Sequence, residues 1–263
     1  MSAPALSLAN KTAIVTGSGR ENGIGAAIAR ALARAGAAIT INHVSASSAS
    51  RAEGVAESIR SAGGKAVVVQ ANVSKPEDAK KLVEATLKAF GGEKIDILVN
   101  NAGTGSIHTS EGASVEYIES IFATNVFGTI YTTQAVLPYM PKGGRIVNIS
   151  SVASKLGMMY LPIYGASKAA MDSLTFAWAG EFGRSKGITV NSIAPGPVAT
   201  DLGDVGHGEM GEATASLLVN ATRAGARIGT VEDIADAVLL VASEQSRWIT
   251  GQFISASGGI TGQ

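Results

Sequence analysis

The chain has 263 residues, 46% apolar and 16% charged, with 21 Lys plus Arg against 21 Asp plus Glu. That neutral balance excludes phosphate neutralisation by a basic surface, so no nucleic-acid partner is expected, and the apolar share excludes disorder as the main state. With no Cys, a disulfide scaffold, a thiolate metal site and a Cys nucleophile are excluded, in keeping with a cytoplasmic setting.

Apolar runs of strand length alternate with segments of helical period along the chain. Thr12–Thr16 reads as a buried strand ending in glycines, followed by a helix over Gly25–Ala35. Ala37–Asn42 is a second strand, Ser48–Ala62 a helix, and Lys65–Gln70 a third strand. Pro76–Phe90 is a helix with Pro in its first turn, where Pro is favoured. Ile95–Val99 is a fourth strand, and residues 114–140 hold one or two helices. Arg145–Ile149 is a strand, Pro162–Phe182 a long helix, and Ile188–Ile193 a strand. Val231–Ala242 is helical and Gln252–Ser255 is a last short strand. Continuous Val/Ile/Leu runs are the mark of parallel strands covered on both faces. Their alternation with helices predicts an α/β fold with a doubly wound parallel sheet, the Rossmann arrangement. No repeat or linker interrupts the rhythm, so one domain is expected over 1–263. The long aperiodic stretch 197–225 is expected to cover the site. No signal peptide and no membrane span are expected, because no run of about 18 apolar residues occurs.

After the first strand comes Thr16-Gly17-Ser18-Gly19-Arg20-Glu21-Asn22-Gly23-Ile24-Gly25, and then a helix. Between a strand and a helix, such a loop lets backbone approach a pyrophosphate, and the helix N-terminus supplies free N–H groups. An ordinary βα turn is the plain alternative. A site for the unphosphorylated dinucleotide usually places Asp or Glu at the end of the second strand. Here that position reads Asn42-His43-Val44-Ser45, with no carboxylate. Arg20 stands in the glycine loop, where it reads either as a partner for a 2′-phosphate or as a solvated loop residue. NADP(H) is the expected cofactor.

Tyr164 and Lys168 form Tyr-x-x-x-Lys. About 0.2 such matches arise by chance in a chain of this composition, so the pattern alone carries little. Its position adds weight: Tyr164 follows Pro162 at a helix start, and residues four apart share a helix face. A Lys ammonium beside the phenol favours phenolate, as does the helix N-terminus. Each pKa unit of lowering requires about 1.4 kcal/mol, and two or three would suit an acid catalyst at neutral pH. A packing aromatic and a solvated Lys is the alternative.

With these residues in place, the chain resembles the short-chain dehydrogenase/reductases of the single-domain type. The likeness runs from Lys11 to about Gly262. It is carried by Thr16-Gly17 with Gly23-Ile24-Gly25, Asn100-Asn101-Ala102-Gly103, Asn125 in Asn-Val-Phe-Gly, Ser150-Ser151, Tyr164 with Lys168, and Pro195-Gly196-Pro197-Val198-x-Thr200. The resemblance implies that Tyr164 gives a proton to a carbonyl oxygen, and that Ser151, 13 residues earlier, holds that oxygen, with Ser150 as the other choice. It implies that Lys168 binds the nicotinamide ribose and lowers the Tyr164 pKa, and that Asn125 holds a water linking Lys168 to solvent. Gly17, Ser18, Arg20, Gly23 and Ile24 would meet the phosphates, and Asn42, His43 and Ser45 the adenosine ribose. Asn72 and Val73 would meet the adenine, while Asn101, Ala102 and Gly103 line the cofactor. Pro195, Gly196, Val198 and Thr200 would cover the nicotinamide. The partners implied are a small-molecule carbonyl substrate and further copies of the chain in a homo-oligomer, commonly a tetramer.

Three departures stand out from the family pattern. The glycine loop is two residues longer, Asn72 stands where many members have Asp, and Ser257-Gly258-Gly259 replaces Asp-Gly-Gly. Gly183-Arg184-Ser185-Lys186-Gly187 matches a nucleophile elbow, but it follows a helix and precedes a strand, so it reads as a surface turn. His43, His108 and His207 are isolated, so no metal site is expected. Met158, Met159 and Leu161 read equally as a substrate wall or as loop packing. The expected activity is NADPH-dependent reduction of a ketone to an alcohol. Imine reduction, dehydration, cyclisation or NADPH binding without turnover are the alternatives.

Overall fold

The computed structural model describes residues 6–200 and 216–262. In chain order the elements are β1 (Thr12–Val15), α1 (Ile24–Arg34), β2 (Ala38–His43), α2 (Ala49–Ser61), β3 (Lys65–Gln70), α3 (Pro76–Phe90) and β4 (Ile97–Asn100). The second half adds α4 (Val115–Phe122), α5 (Gly128–Val136), β5 (Arg145–Ile149), α6 (Ala153–Leu156), α7 (Pro162–Lys186), β6 (Thr189–Pro195), α8 (Val231–Ala242) and β7 (Phe253–Ala256). All seven strands pair in parallel in one sheet of order β3-β2-β1-β4-β5-β6-β7.

The apolar runs explain this arrangement. β4, β5 and β6 are buried at every residue, as parallel strands with helices on both faces must be. One face packs Ile28 and Leu32 of α1, Ile59 of α2 and Val238 of α8 against Ile39 and Ile41. The other packs Leu82 and Val83 of α3, Val136 of α5, and Trp178 and Phe182 of α7 against Ile14, Leu98 and Val190. Fully burying one such side chain contributes roughly 1.5–3 kcal/mol. Chain order reverses between β1 and β4, which opens a crevice at their carboxyl ends, where a doubly wound sheet binds its ligand.

Several boundaries differ from the sequence reading. The stretch 114–140, read as one or two helices, is α4 and α5 joined through a π-helical turn, Ala123–Phe127. α7 runs to Lys186 and ends on Gly187, whose φ of +66° suits the left-handed cap that glycine adopts at least cost. Gly183–Gly187 therefore closes a helix and is not an elbow. Within 197–225, Val198 bridges Gly229, while residues 201–215, His207 among them, lie outside the described residues.

Candidate active site

Tyr164 lies in the first turn of α7, started by Pro162. Its half-buried phenol lies beside the Ser151 side chain, just past β5, and that hydroxyl acts against the upward shift of the phenol. Ser151 Oγ also accepts from the Ala153 N–H at 3.1 Å, which fixes the hydroxyl. Ser150 faces the other way: it is buried and donates to the Lys168 carbonyl at 3.3 Å. The structure thus brings Ser151, not Ser150, to Tyr164.

Lys168 is one turn further along α7 and is buried. Its Nζ donates to the Ile149 carbonyl at 2.8 Å and lies 5.7 Å from the Tyr164 ring centroid. Burial lowers its pKa to about 8, against an upward pull from Asp172. The phenol behaves otherwise than expected from the sequence. Burial raises Tyr164 above its ordinary value and the Ser151 hydroxyl only opposes this, so desolvation outweighs the expected lowering. Tyr164 is a protonated phenol at neutral pH.

Asn125 is fully buried in the π-helical turn. Its Oδ1 accepts from Thr104 N–H at 2.9 Å, and its Nδ2 donates to Thr104 O at 3.0 Å and Ser167 Oγ at 2.9 Å. The side chain therefore clamps the loop after β4 onto α7. That loop closes over Tyr164. A Cβ on Gly105 would stand 2.6 Å from the Tyr164 ring, and one on Gly103 would stand 3.3 Å from Lys168 Nζ. Gly105, Thr104 and Ser167 were missed by the sequence reading. No spacing pattern marks them, because their role arises only when the loop and α7 meet.

At the β1–β4 crevice, Gly17 has a φ of +62°, and a Cβ there would strike Ala102 Cα at 2.8 Å. Thr16 Oγ1 accepts from the N–H groups of Asn101 and Ala102, while Asn101 Nδ2 donates to the Thr16 and Gly17 carbonyls. α1 begins at Gly23 and Ile24 with no side-chain cap and no acid in its first turn, leaving its N–H groups to an anion. Arg20 is exposed beside it.

Ser18 and Asn42 are placed elsewhere than expected. Ser18 is fully buried, donating to Val15 O and accepting from Asn42 N–H. The Asn42 amide is spent on Gly17 N–H and on the carbonyls of His43, Val69 and Ala71. Both side chains hold the loop from inside rather than facing a ligand. His43 Nδ1 lies 3.0 Å from Ser45 O, and the hydroxyls of Ser45, Ser47 and Ser48 cluster at the end of β2. Asn72 Oδ1 accepts from Ser74, and Val73 is buried against Gly128. Pro195 and Gly196 leave β6 tied to Val152 and Ala256, and Val198 is held at Gly229. Thr200 closes this described stretch.

Met158, Met159 and Leu161 line a cleft of about 310 Å³ against Ala166 and Ala169 of α7. Neither Tyr164 nor Ser151 lines it, so it flanks the reacting groups rather than holding them. Among the described residues no His/Asp/Glu cluster could hold a metal, and no helix is long and apolar enough to cross a membrane.

Comparison with known proteins accords with this geometry. The family model described as enoyl-(acyl carrier protein) reductase matches residues 17–261. An uncharacterized oxidoreductase of Methylorubrum extorquens is 42% identical, over 96% of this chain and 98% of its own. The short-chain dehydrogenase/reductase FrzI of a Cladobotryum species is 41% identical, over 98% of each chain. Among solved structures, the landomycin C-6 ketoreductase LanV, with bound NADP and rabelomycin, superposes with a TM-score of 0.85 at 36% identity, covering 97% of each chain. The chain belongs to the short-chain dehydrogenase/reductase family of oxidoreductases.

Proposed function

We propose that the chain is an NADPH-dependent carbonyl reductase that turns a ketone into an alcohol, with Tyr164 as the proton donor. The observation that supports this best is the meeting of the Tyr164 phenol with the Ser151 hydroxyl, with Lys168 Nζ 5.7 Å from the Tyr164 ring centroid. Two hydroxyl donors aimed at one place suit one carbonyl oxygen, on which negative charge develops as hydride arrives. When bound, the dinucleotide supplies that hydride. Ser151 holds the oxygen, Tyr164 donates the proton, and the Lys168 ammonium stabilises the phenolate left behind. Asn125 keeps the loop over Tyr164 in place through Thr104 and Ser167.

The residues present fit the cofactor. Gly17 lets the loop pack close against Ala102 at the crevice, and the uncapped start of α1 suits a pyrophosphate. The hydroxyl cluster at Ser45, with Arg20 exposed nearby in the loop, suits a 2′-phosphate, and no carboxylate stands at the end of β2 to repel one. LanV holds NADP, in keeping with this choice. The chain works as one dinucleotide-binding and catalytic unit and as a homo-oligomer. Phe176, packed beside Gly251 and 74% exposed, and Trp248, 95% exposed, give it an apolar face for a second copy.

The description of the matching family model favours a second reading, reduction of a carbon–carbon double bond conjugated to a thioester. Incubation with deuterium-labelled NADPH and a panel of ketones and enoyl thioesters separates the two. Label on the carbinol carbon of an alcohol supports carbonyl reduction. Label only at the β-carbon of a saturated thioester replaces it with the second reading.

A further inference from the structure

Beneath Lys168 lies an acid that the proposed mechanism does not use. Asp172 follows Lys168 by one helical turn on α7, and its side chain is almost wholly buried. Its Oδ1 accepts from Ser192 Oγ of β6 at 3.0 Å, and its Oδ2 from Ser154 Oγ of α6 at 2.7 Å. Lys155 Nζ stands 3.6 Å from Oδ2 and 5.0 Å from the centre of the Phe253 ring on β7, and its side chain is 44% exposed. Two hydroxyls thus hold the carboxylate in place, one helical turn from Lys168.

We propose that Asp172 is a positioning residue that keeps Lys168 charged, and that Lys155, reaching in from the surface, weakens this hold. The three side chains form a ladder of alternating charge, from solvent at Lys155 to the phenol at Tyr164. The groups facing Lys168 from each packed element leave this role to Asp172. Tyr164 of α7 itself is neutral. The π-helical turn brings Asn125, which has no charge. β5 brings the Ile149 carbonyl, and β6 brings Ser192 to Asp172. Glu116 and Glu119 of α4 are exposed to solvent. Burial lowers Lys168, and Asp172 is the charge that acts against it. A unit charge one helical turn away, at intermediate dielectric, moves a titration by roughly one pH unit.

The inference rests on the proposed function only for its effect on turnover, so its test reads Lys168 directly. The full-length protein, labelled with 15N-lysine, is titrated by NMR, with the Lys168 signal assigned by its loss in Lys168→Arg. Lys168 is expected to titrate near 8 in the parent protein. Asp172→Asn, whose amide oxygen accepts from one serine while its NH2 donates to the other, lowers the midpoint by about one pH unit. Lys155→Met, a surface change, raises it. The alkaline limb of the pH–rate profile moves the same way in each variant. A merely structural Asp172 would change stability and leave the Lys168 midpoint in place, and that result overturns the proposal. If Asp172→Asn does not fold, Lys155→Met decides alone, and an unmoved or lowered midpoint there also overturns it. Midpoints that move while the rate profile stays fixed uphold the ladder and count instead against Lys168 as the partner of Tyr164.

Discussion

Gly105 packs flat against the ring of Tyr164: a Cβ at that position would stand 2.6 Å from ring carbon Cδ2. Real Cβ atoms do not approach so closely, so either the ring or the loop must shift. Gly105→Ala is expected to lower kcat at least about tenfold, because small misplacements of reacting groups are costly. NADPH affinity, set at the β1–β4 crevice, stays within about twofold of the parent value by calorimetry.

Lys168 links stability to pH. The unfolded chain holds the lysine proton up to about 10.4, whereas the folded chain releases it from about 8. Below about 8 the folded state therefore buries a charge at a cost, and stability from this group rises with pH between the two values. Lys168→Met is expected to stabilise the protein at pH 7, by on the order of 3 kcal/mol less whatever the Ile149 carbonyl loses with its partner. Turnover is lost at the same time. Chemical denaturation at pH 7 and pH 10 checks this: the gain narrows at the higher pH.

Cofactor choice is expected to follow charge at the end of β2. Ser45→Asp places a carboxylate where the 2′-phosphate is proposed to sit, and Arg20→Ala removes the exposed guanidinium of the glycine loop. Each should weaken kcat/KM with NADPH about tenfold or more, with little loss for NADH, since the contact removed is charge-assisted. Parallel assays with both dinucleotides read the ratio.

A buried polar network underlies the site. Asn100 Nδ2 donates to Asn148 Oδ1 at 2.9 Å and to Thr133 Oγ1 at 3.1 Å, while its Oδ1 accepts from Thr132. Asn100→Ala leaves Asn148 Oδ1 and Thr133 Oγ1 without their donor, while Thr132 keeps the Gly128 carbonyl, and is expected to destabilise the fold by about 2–3 kcal/mol, read by urea denaturation.

The fold was legible because parallel strands covered on both faces leave unbroken Val/Ile runs, such as Ala13-Ile14-Val15 and Ile97-Leu98-Val99. Tyr164 and Lys168 stand out in sequence only as a pair one helical turn apart at a helix start, and it is the family resemblance that singles them out together with Ser151. Other contacts were not legible. Ser18 and Asn42 have side chains suited to a phosphate or a ribose, and only the packed loop shows that both turn inward, Ser18 to the Asn42 N–H and Asn42 to the Gly17 N–H. Asp172 carries no motif, and its importance comes from burial between β6 and α6. The Tyr164 shift runs opposite to the sequence expectation for the same reason, because sequence does not show the desolvation that raises it.

The most direct test of the central claim is single-turnover reduction of a ketone by the parent enzyme and Tyr164→Phe, each loaded with deuterium-labelled NADPH. The expected result is label at the carbinol carbon, with a rate in the Phe variant lower by about 10²–10⁴-fold and NADPH binding intact. A Phe variant that transfers hydride to the ketone at the parent rate would contradict it.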